Sequence, residues 1–286
     1  MKRVSSKAVA LETTLLVHGV PKDAGLGLSR ELEEIVRGEG AEPGLVGVIS
    51  GRPCVGVNNE ELTEMIAAGT VQKTNTSNLG YAFHAGLTAA TTVSTTMEIA
   101  SFAGLRVFAT GGIGGVHRGY GTQLDISADL VALTRYPMAV VTSGVKSILD
   151  VEATREALET LGITVVGFGT SRFPAFYLRD GGCDVDIRFD DPGELADFIR
   201  GELPRTGRGI VIANPIPEAD EIDRDDWSQW LGEAQQRAES MGAKGRDVTP
   251  AVLSGLHEIS EGRTLVANIA LIKSNAKLAA RVASRL

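Results

Sequence analysis

The sequence is poor in several residue types, and each shortage excludes a class of protein. Cys54 and Cys183 are the two cysteines, far apart and without C-x-x-C spacing, so neither a disulfide framework nor a structural zinc site is expected. Acidic residues outnumber basic ones and the formal net charge is −8. Binding of a nucleic-acid polymer requires a basic face, so that class is excluded, whereas a single nucleotide remains open as a substrate.

Long apolar runs are also missing. The apolar stretch that follows the basic residues 1–7 is interrupted by Glu12, so we expect neither a signal peptide nor a membrane span. Together with cysteine usage typical of a reduced compartment, this predicts a cytoplasmic protein. Glycine is abundant, at 34 residues, and aromatics make up 5%, which favours an α/β protein with tight strand-to-helix turns.

The apolar patterns alternate between strand and helix along all 286 residues, with no repeat and no clear linker. Alternating strands and helices imply right-handed crossovers and a mainly parallel sheet covered on both faces, here in one domain over 1–286. Strands are predicted at 9–17, 44–49, 105–110, 138–142, 163–167 and 209–213. Helices are predicted at 29–38, 59–68, 89–103, 127–134, 147–161, 194–201, 225–240, 250–260 and 265–286.

Lys146 follows the apolar run 138–142 and a small-residue break, just before a helix pattern that starts at Ser147. Open α/β sheets collect their ligands at the carboxyl ends of strands. Burial there would lower the pKa of the lysine and give a neutral amine able to attack a carbonyl carbon. The alternative is a solvated lysine in the first turn of a helix.

Glu12 interrupts the apolar strand pattern 9–17. A carboxyl group in a buried strand tends towards a raised pKa, which suits a general acid or base. A glutamate on an edge strand, facing water, is the alternative.

Four glycines occur in the stretch Gly111-Gly-Ile-Gly-Gly115, which is followed by His117 and Arg118. Glycines let backbone N–H groups approach an anion closely, and the two following side chains can pair with it. The third glycine of a dinucleotide fingerprint is replaced by His117, and no Walker lysine follows. The pattern favours a loop that binds phosphate or encloses substrate, with a purely structural turn as the alternative.

Asp125 and Asp129 lie four residues apart, which would place both carboxylates on one face of a helix. Such a pair can hold a hard divalent cation that keeps several waters. Asp129 alone is equally consistent with a favourable interaction with the helix dipole. His18, His84, His117 and His257 do not have the spacing of metal ligands.

Taken together, these segments closely resemble the pseudouridine-5′-phosphate glycosidase family, also called indigoidine synthase A-like, over nearly the whole chain. The motifs that carry the resemblance are Ala10-Leu-Glu-Thr-Thr, 106–119, Asp125-Ile-Ser-Ala-Asp, Gly144-Val-Lys-Ser-Ile-Leu-Asp, Phe173-Pro-Ala-Phe-Tyr, Asn214-Pro-Ile-Pro-Glu, Val248-Thr-Pro and Ala267-Asn-Ile-Ala-Leu. The resemblance implies a three-layer α/β/α domain, usually a homotrimer, that uses a divalent cation such as Mn²⁺.

Carried onto this sequence, the resemblance makes Lys146 the nucleophile, Glu12 the proton donor and Asp125 the metal-binding residue. The implied substrate contacts are Lys73, Val93, Ser127, Ala128 and Asp129, and motif positions in the substrate pocket are His117, Arg118 and Asn268. A C–C glycosidic bond has no heteroatom leaving group, so two carboxylates alone are not enough to break it. An iminium on Lys146 would act as the electron sink, in either direction of the reaction.

The sequence departs from the family pattern after Lys73. The family usually reads Lys-Val-Ser-x-Arg-Asp-Leu, whereas this chain reads Lys73-Thr-Asn-Thr-Ser-Asn-Leu and loses both charges. This favours an altered aglycone side, and with it C-ribosylation of a non-uracil aromatic ring in secondary metabolism. The alternatives are ordinary breakdown of pseudouridine 5′-phosphate and, more remotely, a non-catalytic phosphosugar-binding protein.

Overall fold

The computed structural model describes residues 1–68, 70–121, 124–242 and 248–286, apart from the side chains of 248–250 and 253. The side chains of the motif Val248-Thr-Pro250 therefore lie outside the described part. In the described ranges the strands are β1 Ala8–Glu12, β2 Glu42–Ile49, β3 Arg52–Val55, β4 Gln72–Thr74, β5 Ala89–Thr91, β6 Val107–Ala109, β7 Ala139–Thr142, β8 Thr164–Phe168, β9 Arg172–Ala175, β10 Leu178–Asp184, β11 Ile187–Phe189 and β12 Ile210–Ala213.

The α-helices in the same ranges alternate with these strands. They are α1 Thr13–His18, α2 Lys22–Gly38, α3 Asn59–Ala68, α4 Leu79–His84, α5 Val93–Phe102, α6 Ala128–Arg135, α7 Val151–Thr160, α8 Pro192–Thr206, α9 Arg224–Ser240, α10 Val248–Ile259 and α11 Arg263–Ala283. None of them is long and apolar enough to cross a membrane.

Ten of the described strands form one mixed, mostly parallel sheet in the order β11-β8-β12-β7-β6-β1-β2-β5-β4, with β3 paired to β2. Strands β8, β12, β7, β6, β1 and β2 run parallel to one another, and β3 and β5 run antiparallel to β2. The pair β9-β10 forms a separate antiparallel hairpin. Because β1, β6 and β7 are parallel neighbours, their carboxyl ends lie at one edge of the sheet.

The sheet separates two hydrophobic cores, which gives the α/β/α layering. Val9 and Leu11 of β1 pack in the core on the side of α2 and α11, whereas Ala8 and Ala10 pack in the core on the side of α5 and α6. The same alternation explains why the central strands read as continuous apolar runs, since both of their faces are buried. The predicted α/β class with a mainly parallel sheet is confirmed.

Three predicted boundaries are wrong in ways that matter for the site. The strand predicted at 9–17 ends at Glu12, and the chain then forms α1. The helix predicted at 89–103 begins only at Val93, after the short strand β5. The helix predicted from Ser147 begins at Val151, because the Asp150 carboxylate caps it by accepting a hydrogen bond from the Ala153 N–H at 3.0 Å.

Candidate active site

Glu12 lies at the carboxyl end of β1 and not inside the strand. Thr110 follows the neighbouring strand β6, and its hydroxyl donates a hydrogen bond of 2.5 Å to Oε1 of Glu12. Burial raises the pKa of the Glu12 carboxyl, and Asp129 raises it further. The pKa of Glu12 is lowered by the charge of Lys146, by the hydrogen bond from Thr110 and by the charge of Lys73. The carboxyl is thus held towards its neutral form within reach of two lysines.

Lys146 lies in the turn that follows β7, and its side chain is exposed. The predicted burial of this lysine is therefore wrong for the isolated chain, and so is its placement next to a helix start. Its backbone is nevertheless fixed, because the Lys146 N–H donates to the Ile113 carbonyl at 3.1 Å and the Ile113 N–H donates to the Gly144 carbonyl at 3.0 Å. These two bonds tie the lysine segment to the glycine-rich loop.

Gly144 makes this turn possible. Its φ is +78°, a region that L side chains rarely adopt, and a Cβ there would lie 1.8 Å from the Pro174 carbonyl oxygen. A glycine two residues before Lys146 is therefore required by the path of the backbone.

Lys73 lies in β4 and brings a second ammonium group to the cluster. The residue as a whole is exposed, but neighbouring atoms desolvate its ammonium group and lower its pKa; the positive charge of Lys146 lowers it further, whereas Glu12 raises it. The influence of Lys146 and Glu12 on this pKa indicates that the three groups are near enough for their charges to interact, although the two lysines lie 61 and 134 residues from Glu12 in sequence. Three of the residues proposed from the sequence therefore lie in the same region of the fold.

Asp129 is buried, at 5% exposed, and binds backbone N–H groups. Its Oδ1 accepts from the Ser94 N–H at 3.0 Å and its Oδ2 accepts from the Gly114 N–H at 2.8 Å. The carboxylate thus joins the first turns of α5 and α6 to the glycine-rich loop. A Cβ on Gly114 would lie 2.2 Å from Oγ of Ser127 and 2.8 Å from Oδ2 of Asp129, so only glycine allows this close approach.

Val93 and Ala128 are the first residues of α5 and α6. The Val93 side chain is 1% exposed, so a ligand would meet this residue through its backbone. Ser127 caps α6 by accepting from the Asp129 N–H at 3.2 Å. Two adjoining helix N-termini present N–H groups and positive dipole ends, a combination that suits a phosphate.

Asp125 lies outside α6 and is exposed, so the prediction that Asp125 and Asp129 share a helix face is wrong. Its Oδ2 lies 3.7 Å from Nδ1 of the half-buried His117, and the His117 N–H donates to the Asp125 carbonyl at 3.0 Å. Among the described residues, no three His, Cys, Asp or Glu side chains converge as a metal cage would require. A single exposed carboxylate does fit a cation that keeps most of its waters.

Arg118 and Asn268 are the two other residues predicted to line the substrate pocket. Arg118 is exposed, and its Nε donates to the Leu149 carbonyl at 3.4 Å. Oδ1 of Asn268, on α11, is buried and has no hydrogen-bond partner in the described part of the chain. A buried carbonyl oxygen without a donor costs free energy, so this oxygen is suited to a water or a ligand.

A cavity of about 310 Å³ adjoins the residue that follows Lys146. Its walls include Arg118, Ser147, Leu178, Arg224, Trp227 and Leu231. The lining combines apolar side chains with the guanidinium groups of Arg118 and Arg224, and its exposed surface is mainly polar.

Sequence reasoning missed the residues that support the site from behind. Thr110 belongs to the motif 106–119, where the sequence assigns it no role, although a polar residue directly after a buried strand is a signal for the ligand-binding edge.

The divergent stretch after Lys73 has a structural role of its own. Oδ1 of Asn75 accepts from the Ser77 N–H at 2.9 Å, and Nδ2 of Asn78 donates to the Lys73 carbonyl at 3.3 Å.

Comparison with known proteins identifies the family of the chain. The family model described as "Indigoidine synthase A like protein" matches residues 3–285. A pseudouridine-5′-phosphate glycosidase of Methylobacterium nodulans is 47% identical over 279 residues, which cover 97% of this chain and 83% of that protein.

Two solved structures share the fold. An indigoidine synthase A-like protein of Thermotoga maritima has a TM-score of 0.90 and 37% identity, covering 99% of this chain and 94% of its own. The prealnumycin C-glycosynthase AlnA, solved with ribulose 5-phosphate, has a TM-score of 0.92 and 32% identity, covering 100% of this chain and 97% of its own. The chain therefore belongs to the indigoidine synthase A-like family, as an enzyme of the pseudouridine-5′-phosphate glycosidase type.

Proposed function

We propose that the protein cleaves the C–C glycosidic bond of pseudouridine 5′-phosphate, releasing uracil and ribose 5-phosphate through a Schiff base on Lys146. The observation that carries the proposal is that Glu12, bonded by Thr110, and Lys146 lie at or just after the carboxyl ends of parallel strands at one edge of the sheet, with the charges of Lys73 and Lys146 acting on Glu12 and its pKa raised. Relatives named for this activity, such as the 47% identical protein, support the choice of substrate.

The reaction can be written with these residues. The ribose C1′–O4′ bond opens with protonation of O4′, and the Lys146 amine bonds to C1′ and loses a proton. The C1′–C5 bond then breaks as the nitrogen lone pair forms C=N, and C5 of uracil takes a proton. Water hydrolyses the imine, which gives the aldehyde form of ribose 5-phosphate and frees Lys146.

Glu12 is the proposed source of the proton on C5. A proton donor must be neutral when it acts, and burial holds the pKa of this carboxyl above its ordinary value. Thr110 fixes its direction through the 2.5 Å hydrogen bond. No other carboxyl of the proposed site combines these properties, since Asp129 is bound by two N–H groups and Asp125 is exposed.

The substrate phosphate is proposed to bind between the first turns of α5 and α6, with Lys73, the backbones of Val93 and Ala128, and Ser127 nearby. Asp129 holds the two turns together. The remaining pocket residues, His117, Arg118 and Asn268, are proposed to contact the sugar or base. Lys73 adds a positive charge to this side of the site.

A divalent cation, Mn²⁺ in the family, would be held by Asp125 through one carboxylate and otherwise by water. When bound, it would supply positive charge that neutralises the phosphate-bearing substrate and orders the loop of His117.

A homotrimer in the cytoplasm is the proposed assembly and location. The exposed apolar side chains of Phe102, Leu124 and Val131, at 82%, 84% and 44%, support burial between subunits.

C-ribosylation of a larger aromatic ring is the second candidate. It is favoured by the loss of both charged residues after Lys73 and by the likeness to the C-glycosynthase at 32% identity. The same Schiff base would then form from ribose 5-phosphate with loss of water, and a carbon nucleophile would attack C1′ and lose its proton. The O4′ hydroxyl would then close the ring by displacing the Lys146 amine. The higher identity to proteins named glycosidases, at 47%, makes cleavage the first candidate.

The deciding experiment measures uracil released from pseudouridine 5′-phosphate by chromatography, beside C–C bond formation from ribose 5-phosphate and a panel of electron-rich aromatic acceptors, including polyketide phenols. Rapid uracil release with no acceptor product supports cleavage. Weak release with efficient coupling to one acceptor supports C-ribosylation. Binding of ribose 5-phosphate with neither reaction, and with no reducible adduct, would leave only a phosphosugar-binding protein.

A further inference from the structure

We propose that Asn275 is a positioning residue for the active site, because its buried amide holds the segment of Thr110 and the segment of Lys146 at a fixed spacing. The inference rests on the proposed function, since it concerns the residues that would carry that reaction. Asn275 itself lies in α11, behind the sheet edge, and would touch neither substrate nor cofactor.

The amide of Asn275 is fully buried, at 0% exposed, and both of its ends are hydrogen-bonded. Its Nδ2 donates to the Thr110 carbonyl at 2.8 Å and to Oγ of Ser143 at 3.1 Å. Its Oδ1 accepts from Nδ2 of Asn214 at 2.8 Å. One side chain thus contacts the residues that follow β6, β7 and β12, three neighbours in the sheet.

Two of these contacts lead directly to the reacting groups. Thr110, whose carbonyl Asn275 binds, uses its hydroxyl to hold Oε1 of Glu12. Ser143 lies three residues before Lys146, and its N–H donates to the Gly111 carbonyl at 3.0 Å. Asn275 therefore directly contacts Thr110, which orients the proposed acid, and Ser143, which lies in the turn that carries the proposed nucleophile.

Asn275 lies between apolar side chains and buried polar groups. Leu271, Ala276 and Ala279 on the same helix are fully buried. An amide is costly in such a core unless every polar atom is bonded, and here it also satisfies the buried Thr110 carbonyl, Ser143 hydroxyl and Asn214 amide, so its loss should lower stability as well. What the amide adds is direction, because its donors and acceptor fix where three loops stand relative to one another.

The test compares Asn275→Leu and Asn275→Asp with a matched control, Thr264→Val. Asp keeps the shape and the acceptor for Asn214 but loses the two donations. Thr264 lies on the same helix, is 5% exposed and is bonded to Oγ of Ser260 at 3.0 Å, so its loss removes a buried hydrogen bond away from both loops. Each variant is first checked for native circular dichroism and cooperative unfolding.

We expect kcat for uracil release to fall about ten- to a hundredfold in both Asn275 variants, with KM for the phosphosugar nearly unchanged, because the first turns of α5 and α6 are untouched. Thr264→Val should keep both constants. Combined with Thr110→Val, Asn275→Leu should lose less than the product of the single losses, since both changes act on one contact path.

Hydrogen exchange of the free protein supplies a readout that needs no substrate. In both Asn275 variants, exchange should accelerate in 110–116 and 143–147; in Asn275→Leu it should also accelerate next to Asn214, whose amide loses its acceptor, and it should stay unchanged elsewhere. If the unaltered protein releases no uracil but the Asn275 variants still show faster exchange only in these segments, the proposed activity would be overturned and the positioning role kept. Unchanged exchange in the two segments, or losses that multiply with Thr110→Val, would overturn the positioning role whatever the activity is.

Discussion

The Thr110 hydroxyl donates a 2.5 Å hydrogen bond to Oε1 of Glu12, across the neighbouring strands β1 and β6. The carboxyl that receives this bond is otherwise driven towards its neutral form, because burial raises its pKa. Thr110 therefore has two effects on Glu12. It orients the carboxyl, and it partly offsets the rise in pKa by stabilising the ionised form.

Replacing Glu12 tests its role as proton donor. Gln keeps the size of the side chain and an acceptor for Thr110, but it has no acidic proton. We expect Glu12→Gln to lower uracil release by about 10²- to 10⁴-fold, the usual contribution of a general acid. The Lys146 adduct with ribose 5-phosphate should still form, because in the coupling direction that step precedes the transfer of the proton from the attacking carbon to residue 12. Turnover within a few-fold of the unaltered protein would remove Glu12 from this role.

The pH profile tests the link between Thr110 and Glu12. A proton donor works only when protonated, so kcat/KM should decline as pH rises through the raised pKa of Glu12. The Thr110 bond lowers that pKa, so Thr110→Val should raise it further and move this decline to higher pH. Circular dichroism checks that the variant is folded. A decline in kcat/KM that stays at the same pH, or moves to lower pH, would contradict the link between Thr110 and the pKa of Glu12.

The fold follows from the sequence more readily than the site does. Runs such as 138–142 are buried on both faces, so their apolar pattern predicts central parallel strands directly. Glu12 is harder to place, because the β-branched and apolar residues 13–17 continue the strand pattern past it, and the switch from strand to α1 leaves no sharp signal. The exposure of Lys146 depends on the turn at Gly144 and not on local composition.

Contacts between distant segments account for what the sequence could not predict. Asn275 lies on an apolar helix face, and its connection to the active site is evident only from its hydrogen bonds to Thr110 and Ser143. The pairing of Asp125 with Asp129 failed for the same reason, because Asp129 is drawn to the N–H groups of Ser94 and Gly114, which lie in other segments. Spacing along one helix contains no information about such partners.

The close approach at Gly114 gives a test with a matched control. A Cβ there would lie 2.2 Å from Oγ of Ser127, whereas a Cβ on Gly27 in α2 would meet nothing within 4 Å. Gly114→Ala should displace Ser127 and Asp129 and raise KM for the phosphosugar by about an order of magnitude or more. Gly27→Ala should leave KM unchanged and add a few tenths to about 1 kcal/mol of stability. Equal KM values for the two variants would show that the close approach at Gly114 is not needed for phosphate binding.

Asp125→Ala tests the proposed cation. The carboxylate is exposed and lies 3.7 Å from His117 Nδ1, too far for a hydrogen bond, so its removal should leave the fold intact. Activity of the unaltered protein should fall with a chelator and return with Mn²⁺, whereas the residual activity of Asp125→Ala should respond to neither. Calorimetry of Mn²⁺ binding serves as the control. An Asp125→Ala variant that is still inhibited by chelator and restored by Mn²⁺ would assign the metal to other residues.

The most direct test of the central claim is to trap the Schiff base on Lys146. The protein is incubated with ribose 5-phosphate, reduced with borohydride, digested and sequenced by mass spectrometry, beside Lys146→Ala and Lys73→Ala. We expect a reduced ribose-phosphate adduct on Lys146, none in Lys146→Ala, and a weaker adduct at the same lysine in Lys73→Ala. An adduct on Lys73, or the absence of any adduct from a protein that binds ribose 5-phosphate, would contradict the claim.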